Sequence, residues 1–347
     1  MEFGLNGTSF FNFTRINLAM TTYTLKTVAL TLLAFLACIP SVHAQTWEPA
    51  KNVEIVVYAA PGGSNDKTAR AIEKAVGSKK LINTTMTVVN KTGGGGNIQL
   101  NYMTQHAGDA HYLMITTPTL LANHITGSST QNHKDFSPIA SMINDFSVFA
   151  VNADSALKTG KDVVDKLKAN PRSLSIGFAG AIGGHNHVAA GLLMKGIGGE
   201  AKALKVIAFK GSSEALTALM GGHIDMVVTA AGNVSSHMAA GKLRAVGVAS
   251  SQRLSGDFSK IPTWKEQGVD VVWGNWRAVM GPKGMTPAQI ARWEGVLRQV
   301  VQTPDWKADL ENNFWTNDFT VGNAFKQDLE KDYVAMRAVL VELGLAK

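Results

Sequence analysis

The stretch Ala60-Pro61-Gly62-Gly63-Ser64-Asn65-Asp66 constrains this chain more than any other. An apolar run from Val53 to Ala60 meets a proline and two glycines, and a helical pattern then starts, with Ala69, Ile72 and Val76 on one face. A strand that stops in glycines and restarts as a helix can present first-turn N–H groups to an anion. The plainer alternative is a tight turn with Ser64 as N-cap. Asp66 would repel an anion beside it and complements the helix dipole, so it reads as structural.

A second junction of this kind lies at Gly177 to His187, "GFAGAIGGHNH". One glycine-rich loop is weak evidence, but two such loops, one per lobe, could close on a ligand from opposite sides. Between and after them, strand-like runs alternate with helical patterns. Strands are expected at Met86–Asn90, Tyr112–Thr116, Leu174–Phe178, Leu204–Phe209, Ile224–Thr229 and Leu243–Ala249. Helices are expected near Ile98–His106, Lys161–Ala169, Asn186–Met194, Ser213–Met220 and Asn233–Ala240. The pattern is α/β. From Asn275 the chain turns helical: Thr286, Pro287 and Gln289 form a capping box, a helix follows Thr303-Pro304, and the last runs from Val321 to Leu343. With no flexible linker before it, this tail is expected to pack back on the first lobe. The chain would then cross between lobes near Ser147–Val151 and again near Val271–Asn275, making a hinge and a cleft.

Length agrees, since a chain of 347 residues exceeds one comfortable core. Its start reads as a leader: Lys26, an apolar run Thr27–Ile39, then Pro40 and Val42-His43-Ala44. Residues 1–44 are expected to be a signal peptide, with 1–19 an upstream extension. The lobes then divide as 45–147, 148–272 and 273–347, the last returning to the first lobe. The one cysteine, Cys38, falls in the leader, and Phe35-Leu36-Ala37 before it is a poor lipobox. A mature chain without cysteine suits a periplasm.

Other chemistries find little support. The formal charge of +7 is scattered, without a Lys/Arg stripe interleaved with aromatics, so no nucleic-acid partner is expected. "KTGGGGN" places Ile98 where a dinucleotide fingerprint needs its third glycine, so that loop reads as structural. His185 and His187 would point about 200° apart on a helix, which excludes a shared metal; capping or surface roles fit them better. His223 reads the same way. No nucleophile elbow and no H-E-x-x-H motif occurs. Neither cofactor, metal nor catalysis is expected. In "WGNWRAVMGP", Arg277 suits a bidentate carboxylate contact and Trp276 a cleft wall, or else both tryptophans are core and Arg277 pairs with an acidic side chain.

Seven segments occur in an order that resembles one family. They are "APGGSND", "VVNKTGGGGNI", "AGAIGGHNHVAAGLL", "FKGSSEALTALMGGHIDMVV", "AAGKLRAVGVASSQR", "IPTWKEQGV" and "GNWRAVMGPKGMTPAQI". The chain is similar throughout its mature part to the solute receptors of tripartite tricarboxylate transporters, the Bug family. The resemblance implies a periplasmic Venus-flytrap binding protein of two α/β lobes with hinge strands crossing between them. It further implies a monomer that holds a small carboxylate on backbone amides and water and hands it to integral-membrane transporter subunits.

Carried over by position, the first cradle is Ala60, Pro61, Gly62, Gly63, Ser64 and Asn65, with Ala59 before it where many members have Phe. Thr117 matches a position near the ligand. The second cradle is Ala179, Gly180, Ala181, Ile182, Gly183, Gly184 and His185. Lys210, Gly211 and Ser212 match a Y-K-G turn in which Phe209 replaces the tyrosine. Asp225 matches a recurrent position and reads as structural or water-ordering. "NWR" resembles the tricarboxylate-receptor branch, which makes Arg277 the partner of a second carboxylate and favours citrate-like ligands. Phe178, Tyr58 and Trp276 would instead suit an aromatic carboxylate. Two other classes stay open: a ligand-loaded co-sensor for a membrane histidine kinase, and a secreted hydrolase or isomerase.

Overall fold

The structure, a computed structural model, describes residues 1–2 and 47–347. The expected leader and its cleavage point lie, but for those first two residues, outside the described residues. Trp47–Lys347 form one compact unit.

Its first part runs β1 (Val53–Val57), α1 (Ser64–Ser78), β2 (Met86–Asn90), α2 (Asn97–Thr104), β3 (Tyr112–Thr116), α3 (Thr119–Ile125) and β4 (Phe136–Asn144). Next come β5 (Ser147–Asn152), α4 (Gly160–Ala169), β6 (Ser175–Ala179), α5 (His185–Gly196), β7 (Lys205–Phe209), α6 (Ser212–Met220), β8 (Met226–Ala230), α7 (Ala231–Ala239) and β9 (Leu243–Val248). Last are β10 (Arg277–Pro282), α8 (Pro287–Val300), α9 (Pro304–Asn313), β11 (Thr316–Val321) and α10 (Gly322–Glu342). The expected elements are present, with ends shifted by a residue or two. Unforeseen were α3, β4, β10 and β11.

Two sheets result, ordered β11-β4-β10-β3-β1-β2 and β7-β6-β8-β5-β9. Each carries the same parallel trio, β2-β1-β3 in one and β7-β6-β8 in the other, flanked by antiparallel strands. Alternation along β1 shows why both faces are covered. Val53, Ile55 and Val57 pack with Ala69 and Ile72 of α1 and with Trp293 and Val296 of α8. Val56 points the other way, to Leu100, Met103 and Leu121. In the second sheet Phe149, Ile176 and Met226 meet Val188 and Leu193 of α5, while Val148 and Val227 meet Leu216 and Val234.

The chain passes between sheets at Asp145-Phe146 and returns at Gly274-Asn275. There Phe146 bridges Gly274, and the Asn275 N–H donates to the Asp145 carbonyl at 3.0 Å. β5 lies in the second sheet along its whole length, so the first passage falls just before the Ser147–Val151 stretch expected to contain it.

The helical tail does pack on the first sheet, but α10 does more. Phe325, Leu329 and Met336 join a core cluster that draws on both sheets, and Val339 lies against Gly191 of α5, where a Cβ would come within 2.7 Å of it. Glu342 takes the Ala201 N–H and the Lys195 ammonium. One helix thus touches both lobes.

Candidate functional site

The two glycine junctions fold alike. In each, a β-strand of the parallel trio ends, a glycine takes positive φ, and the next glycine caps a helix in extended conformation. Gly62 has φ +81° and Gly183 φ +84°, where a side chain is strained. The Gly63 N–H donates to Ala60 O and the Gly184 N–H to Ala181 O, both at 3.0 Å. A Cβ on Gly63 or Gly184 would lie 3.1 or 2.9 Å from those carbonyls, so any side chain here crowds the turn and shifts it.

A side chain four residues on braces each turn. The Gly62 N–H donates to Asp66 Oδ2 and the Gly183 N–H to His187 Nδ1, each at 2.9 Å. Asp66 also takes the Asn90 amide and the Arg70 guanidinium. The Lys210 N–H is held in the same manner by Glu214 at the start of α6. Neither Gly63 nor Gly184 supplies a side-chain cap, so the first-turn N–H groups of α1 and α5 have no intrahelical acceptor.

These turns open on one cleft of about 780 Å³. Helix N-termini from both sheets reach it: Ser64 of α1, Thr119 of α3, His185 and Asn186 of α5, Ser212 of α6, and Asn233 in the first turn of α7. This is the crevice beyond the carboxyl ends of parallel strands, where open α/β sheets take ligands. Partial positive charge from several helices converges on it.

The cleft also holds Asp145, Ser147 and Arg277. Arg277, 1% exposed, donates from Nε to Asn65 Oδ1 at 3.1 Å and from Nη2 to Asp145 Oδ2 at 3.3 Å, and its guanidinium lies over Trp315. Burial raises the Asp145 carboxyl, and the Arg277 charge opposes that. Ser147 Oγ lies 3.0 Å from His185 Nε2, and the His185 ring stacks on Trp273. Arg277 Nη1, Asp145 Oδ1 and His185 Nδ1 are shielded from solvent without a protein partner.

The expected site residues divide accordingly. Ser64, Ala179, Gly180, Ala181, Ile182, Gly183, Gly184, His185, Ser212 and Arg277 line the cleft. Asn65 stands behind, on Arg277. Ala59, Ala60, Pro61, Gly62, Gly63, Lys210 and Gly211 shape the turns without lining it. Thr117 is buried, with its hydroxyl 2.7 Å from that of Tyr58. Trp276 is buried too and donates to Asp332, whose carboxyl burial pushes up to about 6. Phe178 lies in the core on His187. None of the three aromatics considered for an aromatic ligand therefore faces the cleft.

The alternative in which Arg277 pairs with an acidic side chain and both tryptophans are core is the one observed: Asp145 shares its charge, and Trp273 and Trp276 are buried. Of the capping and surface roles read for His187, the surface one needs correction: it is 2% exposed and braces the second cradle. His185 lines the cleft wall, where the second cradle placed it, and is no surface residue. Asp145 was missed, although an Asp inside the apolar run "PIASMINDFSVFAV" signals a buried, paired charge. The closing residues Gly344–Lys347 were missed as well. They line the cleft, with Leu345 against Gly183 and the Lys347 N–H on Ile125 O.

Burial lowers the His187 imidazole to about 4; burial and then the Arg277 charge lower His185 to about 3. Both stay neutral when folded, while the unfolded chain takes up protons near pH 6.5. Stability is therefore complete above that pH and is lost as the pH falls toward 4. Urea titrations at pH 7 and pH 4.5 should show His187→Asn, which keeps an acceptor for Gly183, losing about 2 kcal/mol less than the parent. Equal losses would contradict the brace.

The profile of a family described as "tripartite tricarboxylate transporter family receptor" matches residues 68–339. A Cupriavidus necator relative, described as a UPF0065 protein in the gbd 5' region, is 26% identical over 313 residues, covering 90% of this chain and 93% of the relative. A crystal structure of a TctC solute binding protein from Polaromonas has a TM-score of 0.76 at 26% identity, covering 85% of this chain and 99% of that one. The R. palustris protein Rpa4515, solved with adipate, has a TM-score of 0.68 at 21% identity, over 86% of this chain and 99% of that one.

Proposed function

This chain belongs to the tripartite tricarboxylate transporter receptor family, and from that premise we propose that it holds a small carboxylate in the cleft between its sheets and delivers it to the membrane subunits of such a transporter. It is a solute-binding receptor of a periplasmic family, not an enzyme. Residues 1–44 are read as the leader that would take it there. No helix among the described residues is long and apolar enough to cross a membrane.

One observation carries the reading. Ser64 from one glycine junction and Ala179 to His185 from the other line a shared cleft, and the first-turn N–H groups of the two helices are suited to an anion there. Such donors neutralise a carboxylate without importing a second buried charge. Because the donors belong to opposite lobes, a ligand touching both favours the closed arrangement over an open one. The adipate of the R. palustris protein is a carboxylate held on this fold, which favours a carboxylate here over other anions. The commitment of Arg277 to Asp145 weakens the expected preference for citrate-like ligands.

The test is thermal unfolding of the purified protein, first denatured and refolded to strip any carried ligand, against mono-, di- and tricarboxylates. A ligand at 100 times its dissociation constant should stabilise by about 2.7 kcal/mol. Gly184→Val, whose side chain meets Ala181 O, should fold but lose that shift. No shift with any carboxylate would sink the reading.

A further inference from the structure

α10 is held at its two ends by different sheets. Its start continues from β11, and the Gly322 N–H donates to Glu294 of α8 at 3.2 Å. Midway, Trp276 donates to Asp332, and the Tyr333 hydroxyl lies 2.8 Å from His124 Nδ1 on α3. β11, α8 and α3 all lie on the first sheet's side, so this much of the helix moves with that sheet.

The last two turns lie instead against α5, the helix that begins in the second cradle. Val339 meets Gly191, and a Cβ on Gly183 would come 3.2 Å from Leu340 Cδ2. Glu342, whose side chain is 16% exposed, takes the Lys195 ammonium at 2.7 Å and the Ala201 N–H. Beyond the helix, Leu345 lines the cleft and packs on Gly183 as well, and the Lys347 N–H returns to Ile125 O on α3 at 2.9 Å. Residues 339–347 thus tie the two sheets together without belonging to either crossing.

Rotation about the crossings cannot leave this tie intact. α5 is packed onto the second sheet through Val188 and Leu193, so any swing of that sheet draws Gly183, Gly191 and Lys195 across the end of α10. The contact is suited to parting. At Gly191 the surface of α5 is bare backbone, and Lys195 is 38% exposed, so its ion pair is partly solvated and holds weakly. Beside the second crossing, α10 and α5 diverge round a cavity of about 290 Å³ lined by Leu192, Gly196, Val272, Trp273, Lys331 and Ala335. That space lets one helix shift past the other.

We propose that the end of α10 and residues 343–347 form a releasable clasp, which holds the second cradle toward the first and must let go for the cleft to open. It grips α5 and the Gly183 turn directly, so it sets the resting balance between an open and a closed cleft. That role does not depend on which solute the cleft takes.

Small-angle X-ray scattering of the stripped protein tests it, in a Cys38→Ser background. Glu342→Lys sets two ammonium groups against each other and should enlarge the radius of gyration by about 1 Å, on the roughly 20 Å of a compact chain this long. Leu345→Ser should enlarge it in the same direction, and it carries the comparison if Glu342→Lys fails to fold. Gly191→Cys with Val339→Cys supplies the converse, because the two Cβ atoms would stand 3.9 Å apart, within disulfide reach. Oxidised in either expanded variant, this pair should return the radius to the parent value, and reduction should enlarge it again. A radius unchanged in both variants overturns the clasp. So does an expansion that the cross-link fails to reverse, or a cysteine pair that does not oxidise.

Discussion

Replacing Arg277 with methionine is expected to destabilise the protein by about 3–5 kcal/mol, because it leaves Asp145 buried without its counter-charge. Methionine fills much of the same space, so the loss is electrostatic rather than a cavity. Asn65 loses the donor on its Oδ1 in the same step, and the contact with Trp315 disappears. Adding Asp145→Asn removes the stranded charge and should recover most of the loss. A coupling of at least about 2 kcal/mol between the two positions is the expected result of a double-mutant cycle by urea unfolding. Arg277→Lys should behave more like the methionine variant than like the parent, since an ammonium cannot serve Asn65 and Asp145 from one planar fork. A loss below about 1 kcal/mol for Arg277→Met would mean that the pair is solvated.

Asp66→Ala should cost about 2–4 kcal/mol, as three donors lose one acceptor. The Asp66 side chain is 1% exposed. Burial raises its carboxyl, but hydrogen bonds from Arg70, Asn90 and the Gly62 N–H outweigh that and hold it below the usual range. Its contribution is thus complete above the unfolded-chain value of about 4 and fades as the pH falls through the lower native value. The gap between parent and Asp66→Ala should accordingly narrow in acid, while carboxylate binding by the variant drops at every pH because the Gly62 turn is no longer braced. Unchanged binding would show that the brace does not set the cradle.

How much of this was legible in the sequence depended on how local each feature is. The glycine junctions, the capping box at Thr286 and the parallel strands are written within a dozen residues each, and they fold as read. β4 was hidden by Pro138 inside "FSPIASMIN", which argues against a central strand. β11, "TNDFTV", lies at the sheet's edge and carries too little alternation to stand out. The site was legible as two cradles but not as a charge balance. Asp145 and Arg277 are 132 residues apart, and only the two adjacent crossings bring them together. His185 and His187 were rightly separated by helix geometry, yet which one turns to the cleft depends on Ser147 and Phe178, residues of other strands.

On the proposed reading the grip of this cleft would lie in main-chain groups whose positions are set by Gly63, Gly184 and two braces, Asp66 and His187. The wall residues that would sort one solute from another, such as Ser212, Asn233 and Asn123, take no part in that bracing. Anchoring and discrimination would then be encoded at separate positions. A lineage can exchange its nutrient through a few wall substitutions while the anchor stays as it is, so drift in diet need not pass through a receptor that holds nothing.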